Sequence, residues 1–242
     1  MKLLSIWRMA VLYLVRAWNK RVHARAMDSS ITVVLTQYQV KTSCRHQFLE
    51  ALSEYIFSSG RATGNIQAEA YYEKGNAGIM WTIERWSDRS FYKMNRRTDA
   101  AKVVSALTKI GLVSPVETML LKDLELLSKE AAGNPPTAHQ QPITVMLLVD
   151  VKAGTENHFR SINQVLLSAF RNEPGVLLFQ LSQVAYHKYR FIVFKKFRNW
   201  DAFKYHLTDP ALEPVIQFLQ ASIKQPPFEK GYHHLIQFSP HF

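Results

Sequence analysis

The chain repeats itself, and that duplication constrains its fold more than any other feature. "ITVVL" at 31–35 returns as "ITVML" at 143–147. Beyond that pair a constant offset of 111 residues sets in. Phe48 matches Phe159, Gly64 matches Gly175, Trp86 matches Phe197, Asn95 matches His206 and Pro115 matches Pro226. The first strands are 112 apart, so one residue is gained or lost after them. Internal self-similarity on this scale means two copies of one domain within the 242 residues. The stretch "SKEAAGNPPTAHQQP" at 128–142 is rich in Pro, Gly and polar residues and marks the joint. The expected division is a basic segment at 1–28, a first domain at 29–127, a linker at 128–141 and a second domain at 142–242.

Each copy gives the same order of elements. "ITVVLTQYQV" is β-rich, and Phe48, Leu52 and Ile56 follow at the four-residue spacing of a helix. "IQAEAYYEKGNAGIMWTIERW" predicts two strands around a Lys-Gly-Asn turn. Ser87 and Asp88 offer caps for a helix with a break near Thr98, and "VETMLLKDL" closes the unit. The second copy runs through "PITVMLLVDVK", a Thr155-capped helix, "EPGVLLFQLSQ", "YRFIVFKKF", an Asn199-capped helix and "GYHHLIQF". The order β-α-β-β-α-β is that of a ferredoxin-like fold, an α+β class. The third strands, "GIMWTIERW" and "RFIVFKKF", are apolar at both alternating positions. A sheet with one face in water alternates, so the second face is expected to be covered by the other copy. The predicted architecture is an intramolecular pseudodimer with a barrel-like core of two packed sheets.

Composition sets the outer limits. The apolar fraction of 47% supports a packed core. Cys44 is the single cysteine, which excludes an intrachain disulfide and a thiolate zinc site. Nothing demands an oxidising compartment, so a cytoplasmic location is expected. The net charge is +11, of which +5 falls in residues 1–30, and the body has no dense basic cluster interleaved with aromatics. Nucleic acid is therefore not an expected partner. Residues 1–27 are apolar, basic and acid-free, but Arg8 and Arg16 interrupt them, which disfavours a membrane span. They suggest an organellar transit segment or an interfacial helix in contact with a membrane surface, or else Met27 is the true start. His233 and His234 are adjacent on a strand and point to opposite faces, so no metal site is expected there.

The order of elements, the "EPG" at 173–175 before the second strand, and the spacing in "ERWSDRSFYKMN" (84–95) and "KKFRNWDAFKYH" (195–206) resemble the antibiotic biosynthesis monooxygenase domain of the dimeric α/β-barrel superfamily. Typical members carry a Glu, an aromatic two residues on, an acidic cap, and a His nine residues after the aromatic. The first copy has Glu84, Trp86 and Asp88, with Asn95 at the His position. The second has His206, with Lys195 and Phe197 where the Glu and Trp would be.

The resemblance implies an enzyme that oxidises a hydroxylated aromatic, such as a quinol or anthrone, with oxygen and without metal or flavin. On that reading His206 is the catalytic base and Asn95 a catalytic donor, with Trp86, Tyr205, Tyr72 and Phe197 supplying donors and walls for the ring. The alternative is a non-catalytic tandem barrel that binds a hydrophobic ligand or partner protein, favoured by the division of the motif between copies. Heme binding or degradation is a lesser alternative. Some heme-degrading relatives use an Asn on the first strand, where this chain offers Gln37 and Tyr38, and Asp150 in the second copy.

Overall fold

The computed structural model describes residues 31–125, 127 and 142–240. The basic segment at 1–28 and the linker at 128–141 lie outside them. The first copy contributes β1 (Thr32–Gln39), α1 (Arg45–Arg61), β2 (Asn65–Glu73), β3 (Asn76–Trp86), α2 (Arg89–Asn95), α3 (Asp99–Gly111) and β4 (Glu117–Asp123). The second contributes β5 (Ile143–Asp150), α4 (Glu156–Arg171), β6 (Val176–Val184), β7 (Arg190–Phe197), α5 (Trp200–Thr208), α6 (Glu213–Ser222) and β8 (Tyr232–Ser239). The expected break in the helix after β3 is real. Asp88 caps α2 by accepting from Ser90 N, and Thr98 caps α3 by accepting from Ala101 N.

The strands form one closed barrel in the order β1-β3-β2-β8-β5-β7-β6-β4. Each copy supplies four antiparallel strands, and the copies join at two seams. At one seam β2 pairs with β8, through Tyr71 opposite Gln237 and Tyr72 opposite Ile236. At the other β4 pairs with β6, through Leu121 opposite Val184. Two sheets packed only face to face would leave four exposed edges. Here each copy's outer strands are hydrogen-bonded to the other copy, which removes them.

Alternation along the strands now has a clear meaning. Inward residues from all eight strands form the barrel core, among them Leu35, Tyr71, Trp81, Met119, Met146, Leu178, Phe194 and Leu235. Outward residues meet helices. On the first copy Phe48, Leu52, Tyr55 and Ile56 of α1 pack on Tyr38, Ala68, Ala70 and Met80. On the second, Phe159, Leu167 and Phe170 of α4 pack on Phe179, Leu181, Phe191 and Val193. With both faces of β3 and β7 covered, their apolar runs in the sequence are what the fold requires.

The duplicated glycines mark one such requirement. Gly64 and Gly175 both have positive φ, 79° and 81°, just before β2 and β6. Their carbonyls accept from Ser87 N and Arg198 N, both at 2.7 Å. A Cβ on Gly64 would overlap the Phe91 ring, and one on Gly175 would lie 2.6 Å from Ala202 Cβ. Each glycine thus lets the helix after β3 or β7 close on the sheet.

Two ion pairs are buried inside the barrel. Lys196 on β7 donates to Glu69 Oε1 on β2 at 2.5 Å, and to Gln237 at 3.1 Å. Arg85 on β3 donates to Asp123 on β4 at 2.8 Å and also bonds Gln67. Ser182 of β6 donates to the same Asp123 at 2.5 Å. Arg85 and Lys196 are equivalent by the repeat, so each seam carries a cation against a carboxylate.

Candidate active site

Glu84 and Trp86 occupy outward positions at the end of β3, while Arg85 between them points into the barrel. The strand's period of two thus sends Glu84 under α1 and separates it from its neighbour's charge. Its carboxylate accepts from Tyr55 Oη at 3.1 and 3.0 Å and from Trp86 Nε1 at 3.1 Å. Asn95, the last residue of α2, donates from Nδ2 to Tyr55 Oη at 3.2 Å and to Ser59 Oγ at 2.8 Å. Tyr55, Ser59, Glu84, Trp86 and Asn95 are all buried. The carboxylate is held entirely by neutral donors. Burial therefore dominates its titration and pushes it up to about 7, against the opposing effects of Tyr55, Trp86 and the Arg96 charge. The Tyr55 phenol is pushed up as well, by burial and by the Glu84 charge. Partly buried Tyr92 and exposed Arg96 stand on the solvent side of this cluster. The Tyr92 ring lies 6.4 Å from Trp86, and the Arg96 guanidinium lies 5.8 Å from the centre of the Tyr55 ring.

The equivalent place in the second copy holds a different set. Lys195 stands where Glu84 stands, Phe197 where Trp86 stands and His206 where Asn95 stands. Lys195 Nζ lies 2.8 Å from His206 Nε2, and His206 Nδ1 lies 2.9 Å from both oxygens of Glu173. An ammonium has no lone pair, so Nε2 accepts and Nδ1 carries the ring proton to Glu173. The imidazole is enclosed by Phe170, Phe179 and Phe197, with ring centres 5.0, 6.1 and 5.1 Å away. Burial and the Lys195 charge hold His206 well below its ordinary value. Burial lowers Lys195 to about 8, with Glu173 pulling the other way. Burial and the Asp209 charge raise the Glu173 carboxyl, while the Lys195 charge opposes that rise.

The expected site residues separate accordingly. Asn95 and Trp86 belong to the first cluster, and His206 and Phe197 to the second. The two clusters cannot form one site, because β3 and β7 lie four strands apart around an eight-stranded barrel and both sets face outward. Tyr72 faces the α1 layer but pairs with Met80, whereas Ala68 pairs with Glu84. That is four residues along the strand, about 13 Å from the Glu84 level, and its ring stacks on Phe238 instead. Tyr205 precedes His206 on α5 and points away, 54% exposed. Glu84 itself is hydrogen-bonded by Tyr55 and Trp86, and Arg85 turns the other way to Asp123.

Glu173, Tyr55 and Ser59 were not singled out from the sequence. For Glu173 a signal existed, an acid directly before the Pro-Gly turn into the second strand. Tyr55 and Ser59 sit on α1 at helical spacing from Phe48 and Leu52, where an aromatic or a small residue looks like core. His233 bonds Glu73 across the β2–β8 seam at 2.8 Å.

The antibiotic biosynthesis monooxygenase family model matches residues 31–106 and again 142–215. The chain belongs to that family, twice over. Among solved structures it is similar to a "putative monooxygenase" of Fusobacterium nucleatum, with a TM-score of 0.74 at 15% identity over 86% of this chain and 92% of that one. A "putative monooxygenase" of Lactobacillus acidophilus gives 0.70 at 11% identity over 86% and 94%. An "anthrone oxidase-like protein" gives 0.61 at 11% identity over 88% and 92%. These likenesses show that the tandem barrel is a shared fold. An uncharacterised Synechocystis protein is 23% identical over 113 residues, which is 47% of this chain and 77% of that protein. Among the described residues no helix is long and apolar enough to cross a membrane.

Proposed function

We propose that the first copy is a cofactor-independent monooxygenase site, which oxidises a hydroxylated aromatic of the quinol or anthrone type with molecular oxygen. The observation that carries this is the Glu84 carboxylate, buried, held by Tyr55 and Trp86, and titrating near neutrality. A base is most effective when its titration lies near the working pH. Glu84 takes a proton from the activated carbon or hydroxyl of the substrate. The resulting electron-rich anion itself reduces oxygen. For an anthrone-type methylene the balance is CH2 plus O2 giving C=O plus H2O, with oxygen as the oxidant. Tyr55, fixed by Asn95, keeps the carboxylate aimed, and Arg96 at the solvent side attracts a phenolate.

His206 is the weaker candidate for base. The ring is buried and its Nε2 faces the Lys195 cation, so its basicity is depressed. Its bonds to Lys195 and Glu173 leave no imidazole nitrogen for a heme iron. A binding-only role has one observation in its favour: Glu84, Tyr55, Asn95 and Trp86 satisfy one another while buried. Oxygen uptake with a panel of anthrones and quinols separates the readings. Glu84→Gln is expected to lower the rate by about 10²–10⁴-fold, and His206→Gln to leave it within about twofold. No uptake with any substrate, or loss in His206→Gln alone, overturns the proposal.

A further inference from the structure

The second copy carries a group that the oxygenase reading does not use. From the placement of Lys195 against His206, Glu173 and two phenylalanine rings, we infer that Lys195 is a nucleophilic amine that captures aldehydes or ketones as an imine. This inference stands on the second copy alone and is independent of the role assigned to Glu84.

The geometry supplies each part of that chemistry. The nucleophile is Nζ, which lies 4.8 Å from the centre of the Phe179 ring and 5.9 Å from that of Phe170. An amine desolvated in an apolar pocket is the recognised way to make a lysine reactive near neutral pH. The positioning group is His206, whose Nε2 accepts a hydrogen bond from Nζ at 2.8 Å. Glu173 in turn fixes the Nδ1–H tautomer, which leaves Nε2 as the acceptor facing Nζ. Asp209 adds a further negative charge on the Glu173 side. Lys195 itself is only partly buried, whereas Phe170 and Phe179 are fully buried beneath it.

The step balances without an external oxidant. Lys195 ammonium loses a proton to solvent, and the free amine adds to the carbonyl carbon to form a carbinolamine. The hydroxyl takes up a proton from solvent and leaves as water. Ammonium plus carbonyl thus becomes protonated imine plus water.

Lys196 is the built-in contrast. It is the next residue, so it points to the other face of β7, where Glu69 holds it as an ammonium inside the barrel. One strand therefore carries a lysine placed for chemistry and a lysine placed for structure, back to back.

The test is reductive trapping on the intact chain with benzaldehyde and sodium cyanoborohydride at neutral pH, read by peptide mapping. A lysine lowered from 10.5 to about 8 holds roughly 300-fold more free amine at pH 7 than an ordinary one. After allowance for its lower intrinsic nucleophilicity, Lys195 is expected to be benzylated at least about tenfold faster than exposed Lys93 and Lys109, with Lys196 unlabelled. His206→Gln is expected to bring Lys195 down to the surface rate, while Glu84→Gln leaves labelling unchanged and so separates this site from the first. Should His206→Gln fail to fold, the wild-type pH profile decides: the Lys195 rate is expected to fall below pH about 8. Labelling of Lys195 no faster than Lys93 and Lys109, fast labelling that His206→Gln leaves intact, or a wild-type rate flat through pH 8 overturns the assignment.

Discussion

Replacing Glu69 by Gln tests how the two copies are held together. Glu69 and Lys196 come from different copies, and their side chains are 9% and 10% exposed. The carboxylate also accepts from Tyr71 and Gln67, both at 2.7 Å, while the ammonium has Gln237 as its other partner. In Glu69→Gln the cation stays buried without a counter-charge, which costs about 3–5 kcal/mol. For a chain of this size each kcal/mol moves the melting temperature by about 2–4 °C, so a fall of roughly 6–20 °C is expected. The double variant Glu69→Gln/Lys196→Met removes both charges and is expected to recover most of that loss, giving a coupling of several kcal/mol. The pH dependence has a definite sign. Burial raises the Glu69 carboxyl, but the Lys196 charge and the bonds from Lys196, Tyr71 and Gln67 outweigh it and hold it below its ordinary 4.5. The stabilisation is therefore full above 4.5 and is lost as pH falls through the lowered value. Urea and thermal unfolding of the wild type, Glu69→Gln, Lys196→Met and the double variant, at neutral and acid pH, measure all of this. A loss under about 1 kcal/mol in Glu69→Gln, or simple additivity in the double variant, would refute the idea that the seam depends on this pair.

Other outcomes follow from single contacts. Gly175→Ala combines a φ of 81° with a Cβ 2.6 Å from Ala202 Cβ; a loss of about 2–4 kcal/mol is expected. Gly154→Ala has a similar φ of 88° and open space, so about 1 kcal/mol is expected; equal losses would show that the packing of α5 on Gly175 is unimportant. Tyr55→Phe removes a donor to the Glu84 carboxylate, and the low-pH limb of the oxygenase rate is expected to move up by about one unit. A limb that stays in place would detach Tyr55 from the base.

Much of this fold is written in local pattern. The 111-residue offset, the hairpin at Lys74-Gly75-Asn76 and the caps at Asp88, Thr98 and Asn199 act over a few residues, and each survives duplication. The closed barrel was only half legible. Apolar residues on both faces of β3 and β7 require that both faces be covered, yet they do not say that β2 meets β8 and β4 meets β6 edge to edge. Those seams are set by backbone pairing between copies, which leaves no periodic trace. The site was legible as a motif and illegible as an assembly. Asn95, Trp86, Phe197 and His206 all lie in helix–sheet layers, but only the closed order of strands shows that they form two separate groups. Tyr205 could not be told from His206 by type alone, since adjacent residues on a helix differ by about 100° in direction. Lys195 looked like a departure from the family pattern. Its partner Glu173 precedes it by more than twenty residues and meets it only through His206.

The pH dependence of kcat/KM for oxygen uptake, measured on the wild-type chain and on Glu84→Gln with the best substrate of the panel, tests the central claim most directly. The base must be ionised, so the account predicts a rate that falls as pH drops through about 7, and a variant that lacks both the rate and that limb. A wild-type limb near the ordinary carboxylate range, or a Glu84→Gln variant that keeps the wild-type profile, would contradict it.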